Sequence, residues 1–211
     1  MKKMLFIILI FVFLSPLSSF GADPDTLEAA INKVRNMKIK EGKSDREIAQ
    51  YVSELVKRRL IIGNRDESKA YRETPEGMAK KDKFEKESND CGGTLLNGYE
   101  HKSRAIWAWN LQYGHCSETA CIAYHILKGA KETGADLPDI NILNTKPPGY
   151  TDEPKQGDLY PHILVVMGMD KTADSKDPKT WGENAYVVDG WQGKSFDLDE
   201  ALNNEYIGTG G

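Results

Sequence analysis

A helical pattern that begins at Cys116, followed by two short apolar stretches, limits the folds open to this chain. Small and apolar residues recur at helical spacing after Cys116. Residues 162–169 then form a nearly continuous apolar run, and residues 185–188 form a second run that ends at Asp189. Such runs are typical of buried strands. The pattern therefore predicts an α+β fold, in which one helix packs on an antiparallel sheet.

The chain before this core divides into a helical stretch and a polar one. Residues 23–62 contain two apolar stripes at helical spacing, which predict a pair of packed amphipathic helices. Residues 63–100 are rich in charged and turn-forming residues, and we expect a surface segment with one short helix there. The predicted organisation is a signal peptide over 1–21, a helical and polar segment over 22–100, and a core over 101–211.

The first residues have the composition of a secretory signal peptide. Lys2 and Lys3 precede an unbroken apolar run from Met4 to Leu14, and small and turn-forming residues lead on to Gly21. We expect cleavage after Gly21 and a secreted or periplasmic protein. The apolar run is shorter than the roughly 20 residues that a membrane-spanning helix needs, so we expect no stable membrane anchor.

Charge and cysteine content exclude two further classes of protein. The 211 residues include 28 Lys and Arg against 32 Asp and Glu, and this acidic balance gives no support for nucleic-acid binding. Three cysteines in a chain of this length do not form a disulfide scaffold, and an odd number leaves at least one thiol free. A Cys91–Cys121 disulfide would be the pairing that spares Cys116.

Cys116 is the candidate nucleophile because it opens the predicted helix. A helix N-terminus carries about half a positive charge and several unpaired N–H groups. The charge favours the thiolate over the thiol, and the N–H groups can hold the oxyanion of a tetrahedral intermediate. Taken alone, a cysteine here is as readily explained as a small buried side chain.

His162 is the candidate general base among the four histidines. His125 lies about 180° around the predicted helix from Cys116 and cannot reach it. The side chain of His115 should diverge from its neighbour, and His101 lies outside any clear element. His162 begins a buried strand, so it lies at the rim of the core.

Asp189 is the candidate for the residue that orients this imidazole. If Met169 pairs with Gly182 in a hairpin, the antiparallel ladder puts His162 directly opposite Asp189, with their Cβ atoms about 5 Å apart. We expect His162 Nδ1 to hydrogen-bond Asp189 and the other ring nitrogen to point toward Cys116.

The order of Cys116, His162 and Asp189 resembles that of papain-like and transglutaminase-like cysteine enzymes. Asn110 lies six residues before Cys116, where papain-like enzymes have a Gln that donates to the oxyanion; Gln112 is the other candidate. The resemblance thus implies an oxyanion role for one of these two side chains.

Two later segments carry the same resemblance. Residues 161–168, Pro-His-Ile-Leu-Val-Val-Met-Gly, look like the papain histidine strand, and residues 189–193, Asp-Gly-Trp-Gln-Gly, are similar to its Asn-Ser-Trp-Gly segment. There the tryptophan shields the His–Asn pair, which implies the same role for Trp191. Asp in place of Asn, and the short gap between Cys116 and His162, point to the compact transglutaminase-like side, which includes bacterial toxin deamidases and effector proteases.

Together with the signal-peptide pattern, the resemblance implies a secreted enzyme that attacks amide bonds through a Cys-His-Asp triad and a thioester, without a cofactor or a metal. It implies a protein or peptide substrate, and a host protein and peptidoglycan are the two candidates. Water as acceptor gives proteolysis or glutamine deamidation, and an amine gives transamidation.

Three alternatives stay open at this point. Cys121 and His125 are four residues apart on one helix and could both bind zinc, although no fourth ligand is evident. A degenerate transglutaminase-like domain could be a binding module without catalysis. A peptidoglycan amidase has the same Cys/His order and would suit the periplasm.

Overall fold

The described part of the chain is built from helices and one antiparallel sheet. The computed structural model describes residues 23–63, 68–90, 98–145 and 162–203. In these ranges it contains seven α-helices, a four-stranded antiparallel sheet and a two-stranded parallel pair. The expected α+β class is confirmed. The proposed signal peptide, Cys91 and Pro161 lie outside the described residues.

The first two helices confirm the helical prediction for 23–62. Helix α1 (Leu27–Ile39) begins after Thr26, whose side chain accepts a hydrogen bond from Ala29 N–H at 3.1 Å. Helix α2 (Asp45–Arg59) begins with a capping box, in which Ser44 and Glu47 satisfy each other's backbone N–H groups. Both helices turn their apolar stripes inward.

The polar segment after α2 is more helical than its composition predicts. It forms the short helix α3 (Lys69–Arg72) and then α4 (Pro75–Asp90), which has 16 residues. Helix α4 lacks a continuous apolar stripe and carries three Lys–Glu pairs at i,i+4 spacing instead. Its one well-buried apolar side chain is Phe84, which stacks on Trp107 with ring centroids 5.3 Å apart.

Helix α5 (Gly98–Leu111) leads through a tight turn into the helix that begins at Cys116. The turn contains β2 (Tyr113–Gly114), which pairs in parallel with β1 (Ile61–Ile62). Gln112 before it adopts the left-handed conformation, with φ 58°. Helix α6 (Cys116–Glu132) follows directly.

The sheet is an antiparallel meander. Strands β3 (Ile140–Thr145), β4 (His162–Met167), β5 (Tyr186–Asp189) and β6 (Lys194–Asp197) lie in sequence order, and α7 (Leu198–Asn203) follows. Strands β4 and β5 overlap the two predicted strands, whereas β6 and α7 were not expected.

The predicted register of the β4–β5 hairpin is wrong by two residues. At the neck of the connecting loop, Asp170 N–H donates to Trp181 O at 2.9 Å, as the expected register requires. A turn from Gly182 to Ala185 then adds two residues to the β5 side, so that Val165 pairs with Val188. Because side chains alternate with a period of two, this shift keeps His162 and Asp189 on one face but makes them diagonal neighbours.

Two apolar layers enclose the sheet. Helices α1, α2, α5 and α6 share one core with the odd-numbered residues of β4, so the core does not divide at residue 100. The opposite face is covered by α7 and by the 168–185 connection, in which Trp181 is fully buried. At the β6 edge, Gln50 Oε1 accepts hydrogen bonds from Ser195 N–H at 2.9 Å and Ser195 Oγ at 3.1 Å. None of the helices described is long and apolar enough to cross a membrane.

Candidate active site

Cys116 is the first residue of α6, as the sequence predicted. The first i→i−4 hydrogen bond of the helix runs from Thr119 N–H to His115 O at 3.0 Å. The N–H groups of Cys116 and Ser117 therefore have no carbonyl partner within the helix. The Cys116 side chain is partly buried and carries a free thiol.

His162 and Asp189 meet at the end of the sheet. Strand β4 begins at His162 and β5 ends at Asp189, and His162 Nε2 lies 2.9 Å from Asp189 Oδ2. The expected contact is therefore present, but through Nε2 and not through Nδ1. The two-residue shift explains the difference, because the more distant ring nitrogen is the one that spans a diagonal pair.

The same imidazole contacts the Cys116 thiol. Burial raises the pKa of Cys116, but hydrogen bonds with His162 and from Ile163 N–H, together with the His162 charge, bring this pKa below its ordinary value. Burial lowers the pKa of His162, but its bonds with Asp189 and Cys116 raise it to about 9. Both shifts act in the direction of a thiolate beside an imidazolium.

Two backbone N–H groups hold one oxygen of the Asp189 carboxylate. Asp189 is 1% exposed, and its Oδ1 accepts hydrogen bonds from the N–H groups of Trp191 at 2.7 Å and Gln192 at 3.1 Å. The other oxygen is left for His162. Gly190 permits this turn, because a Cβ there would lie 2.7 Å from Val56 Cγ1 on α2. The carboxylate is thus fixed before any substrate binds.

Trp191 lies against the imidazole. The two rings meet edge to face, with centroids 5.5 Å apart and an interplanar angle of 66°. Exclusion of water by an indole in this position would strengthen the His162–Asp189 hydrogen bond. The shielding role implied for Trp191 stays a prediction.

The two oxyanion candidates lie near the end of α5. Asn110 is exposed, and Gln112 is half-buried with its Oε1 accepting from Lys80 Nζ at 3.1 Å. The Gln112 side chain is thus engaged by helix α4. The oxyanion role of either side chain stays a prediction, and the N–H groups at the start of α6 are further donors close to the thiol.

Cys121 and His125 are placed differently from the triad. Cys121 is fully buried with a free thiol, and burial raises its pKa to about 12. His125 is half-buried on the side of α6 that faces Glu28 and Lys102, in a cavity of about 380 Å³. Within the described ranges, no group of three or more His, Cys, Asp or Glu residues could hold a metal ion.

Sequence reasoning missed one charged residue beside the nucleophile. Glu118 is buried in the first turn of α6, and its carboxylate accepts a hydrogen bond from His115 N–H at 2.9 Å. The signal for it is an acidic residue at the third helical position, the place where a capping-box carboxylate occurs.

The arrangement has the parts of a covalent acyl-transfer site. It combines a thiol of lowered pKa, an imidazole that can move its proton, a carboxylate that holds the imidazole, and N–H groups at a helix start that have no partner within the helix. Comparison with known proteins adds nothing to this geometry: no family model, no curated protein and no solved structure matches the chain.

Proposed function

We propose that this protein is a cysteine enzyme that attacks amide carbonyls and passes through a thioester on Cys116. The observation that carries the proposal is the continuous chain from Cys116 to His162 to Asp189, with the Asp189–His162 contact at 2.9 Å. A structural cysteine has no need of an oriented imidazole or of a lowered pKa.

The chemical step follows from the protonation states. The Cys116 thiolate attacks the carbonyl carbon, and the N–H groups of Cys116 and Ser117 stabilise the oxyanion. The His162 imidazolium gives its proton to the leaving nitrogen as the C–N bond breaks, which leaves a thioester and a neutral imidazole. Asp189 keeps the ring oriented through both states.

The molecule that attacks the thioester defines the type of enzyme. Neutral His162 takes a proton from water or from an amine as that molecule attacks the thioester carbonyl. Water gives a carboxylic acid, by proteolysis or glutamine deamidation, and an amine gives a new amide. In each case the Cys116 thiolate and the His162 imidazolium are regenerated, so the cycle balances.

We also propose that the core is a compact relative of the papain-like and transglutaminase-like fold. Support comes from a nucleophile at the first turn of a helix that packs on an antiparallel sheet, with the His and the Asp on adjacent strands. We propose a protein or peptide substrate met outside the cytoplasm, in keeping with the signal-peptide pattern of residues 1–21.

The direct test is a substrate panel with matched cysteine variants. The purified protein is incubated with casein, with a glutamine-rich protein plus a fluorescent amine, and with peptidoglycan. Peptide release, ammonia release and amine incorporation are then measured. We expect activity on one of these that Cys116→Ala abolishes and Cys121→Ala retains. Equal losses in both variants would contradict the assignment, and a protein that binds without turnover would be a binding module.

A further inference from the structure

A buried carboxylate connects the residues on either side of the nucleophile. The Glu118 side chain is 3% exposed, and its Oε2 accepts hydrogen bonds from His115 N–H and from Ser117 Oγ, each at 2.9 Å. These partners immediately precede and follow Cys116 in the chain. The carboxylate therefore ties down the turn that carries the thiol.

The second oxygen of Glu118 faces a cation on another helix. Oε1 lies 3.6 Å from Arg104 Nε on α5, and the Arg104 side chain is 16% exposed. A buried carboxylate is stable only with such a partner and with hydrogen bonds. Arg104 thus balances a charge that lies two residues from Cys116.

The turn before α6 is shaped to receive this carboxylate. A Cβ on Gly114 would lie 2.6 Å from Glu118 Cβ and 3.2 Å from Glu118 Cγ. Only glycine leaves room for the Glu118 side chain to fold back beneath the turn. The network is therefore part of the local backbone geometry and not a chance surface contact.

We propose that Glu118 and Arg104 are a positioning pair for the nucleophile. Glu118 fixes the backbone around Cys116, and the balance of the two charges sets how readily the thiol ionises. This inference rests on the proposed function, because it takes Cys116 to be the reacting group.

The groups around Cys116 and Glu118 indicate in which direction each charge shifts the ionisation of the Cys116 thiol. His162 and Ile163 N–H of β4 contact the Cys116 thiol, and Glu118 disfavours its ionisation. At the nearby thiol of Cys121, Glu118 raises the pKa and Arg104 lowers it. Among the described residues, Asp189 of β5 hydrogen-bonds the His162 ring, and Arg72 of α3 and Glu85 of α4 act on His115.

The test is the pH dependence of Cys116 alkylation in the full chain. Iodoacetamide is the probe, and peptide mass mapping reads Cys116 apart from the other thiols. Glu118→Gln keeps a hydrogen-bond acceptor but removes the charge, so we expect its midpoint to fall by about one pH unit. Arg104→Gln leaves the carboxylate unbalanced, so we expect the midpoint to rise by a similar amount.

A second readout separates positioning from charge. Glu118→Ala removes the acceptor as well as the charge, and we expect its maximal alkylation rate at high pH to fall several-fold. Glu118→Gln should restore this rate. Glu132→Gln removes the same charge near the far end of α6, about 21 Å along the helix from Glu118. This variant should change neither the midpoint nor the maximal rate of Cys116 alkylation.

The outcomes distinguish failure of the positioning pair from failure of the nucleophile assignment. Unchanged midpoints in both charge variants, or shifts of the same sign, would overturn the positioning pair while Cys116 remained reactive. An ordinary midpoint near pH 8.5 in the unmodified protein would instead overturn the nucleophile itself, and with it the proposed function. If Arg104→Gln does not fold, the contrast between Glu118→Gln and Glu118→Ala decides the matter.

Discussion

His162 has two ring nitrogens in different surroundings, and the chemistry of the site depends on that difference. Nε2 is engaged by Asp189 Oδ2, so Nδ1 is the nitrogen available to the Cys116 sulfur. Asp189 is held by two backbone N–H groups and cannot swing toward another partner. The imidazole is therefore aligned with the thiol before substrate arrives, which lowers the cost of reaching the transition state.

The reactivity of the two free thiols in the described part of the chain, Cys116 and Cys121, should differ widely. We expect Cys116 to be alkylated rapidly at pH 7, where Cys121, whose pKa is raised to about 12, stays inert. His162→Ala removes the hydrogen bond that favours the thiolate, so the Cys116 midpoint should rise. Iodoacetamide kinetics between pH 5 and 10, read by mass mapping, measure both effects. Similar rates for Cys116 and Cys121 would contradict the site.

The carboxylate should matter less than the imidazole it holds. Asp189→Asn keeps the backbone hydrogen bonds to Oδ1 but removes the charge that favours the imidazolium. We expect Asp189→Asn to slow turnover less than His162→Ala, because Asp189 orients the ring and does not itself move a proton. Rates with the best substrate of the panel check the order, and a greater loss in Asp189→Asn would reverse the two roles.

At the level of single residues, the sequence was enough to select the three candidate residues of the site, but not the ring nitrogen through which the histidine contacts the aspartate. Cys116, His162 and Asp189 could be selected because each stands at the end of a patterned helix or strand. The choice of Nε2 could not be made, since it depends on the two extra residues in the turn after Gly182. Glu118 was missed because the capping-box position marks an acidic residue in the first turn of the helix but does not show that its carboxylate is buried.

Among the elements, the Asp189–Gly190–Trp191 turn joins the sheet to two helices. A Cβ on Gly190 would lie 2.7 Å from Val56 Cγ1 on α2 and 3.3 Å from Thr119 Cβ on α6. Both neighbours are buried and cannot move aside. The packing of these helices therefore fixes where the Asp189 carboxylate lies relative to the start of α6.

Gly190→Ala should accordingly disturb both stability and the site. We expect a loss of roughly 1–3 kcal/mol in the free energy of unfolding, the usual cost of overpacking a core, and slower alkylation of Cys116. Urea denaturation measures the first quantity. Val56→Ala clears space beside the new methyl group, so the double variant should lose less than the sum of the single losses. Strict additivity would exclude the proposed contact.

Element prediction succeeded where an apolar period was present and failed where other forces form the element. Helices α1, α2 and α6 were predicted from their stripes. Helix α4 was underestimated, because its charged residues stabilise it by i,i+4 pairing and it docks mainly through Phe84. Strand β6 is four residues long and only Phe196 in it is buried, and an apolar pattern that short cannot be distinguished from that of a loop.

For the molecule as a whole, the helices before residue 100 are part of the core that supports the site. Val52, Leu55 and Val56 of α2 are fully buried in the same cluster as Val165 and Val188 of the sheet. Helix α2 packs on β5 and β6, so without it this face of the sheet around Val188 would lose its cover. The sequence division at residue 100 follows composition, and the hydrophobic core crosses it.

We therefore expect that a fragment of residues 101–211 does not fold alone. Its exposed sheet face and uncovered α6 would leave it without cooperative thermal unfolding, and Cys116 would react like an ordinary thiol. Circular dichroism and alkylation at pH 7 test this against the 22–211 chain. A fragment with a sharp transition and a reactive Cys116 would show that the N-terminal helices are dispensable.

The glutamine at the β6 edge bears on how the sheet can meet other chains. Gln50 Oε1 takes up the outward Ser195 N–H, together with the Ser195 hydroxyl. An extended segment approaching along β6 finds this donor already occupied, and a side chain stands in its path. The sheet is thus closed at this position to edge-to-edge association. A peptide bound as an added strand, or a second molecule that continues the sheet, would first have to displace Gln50.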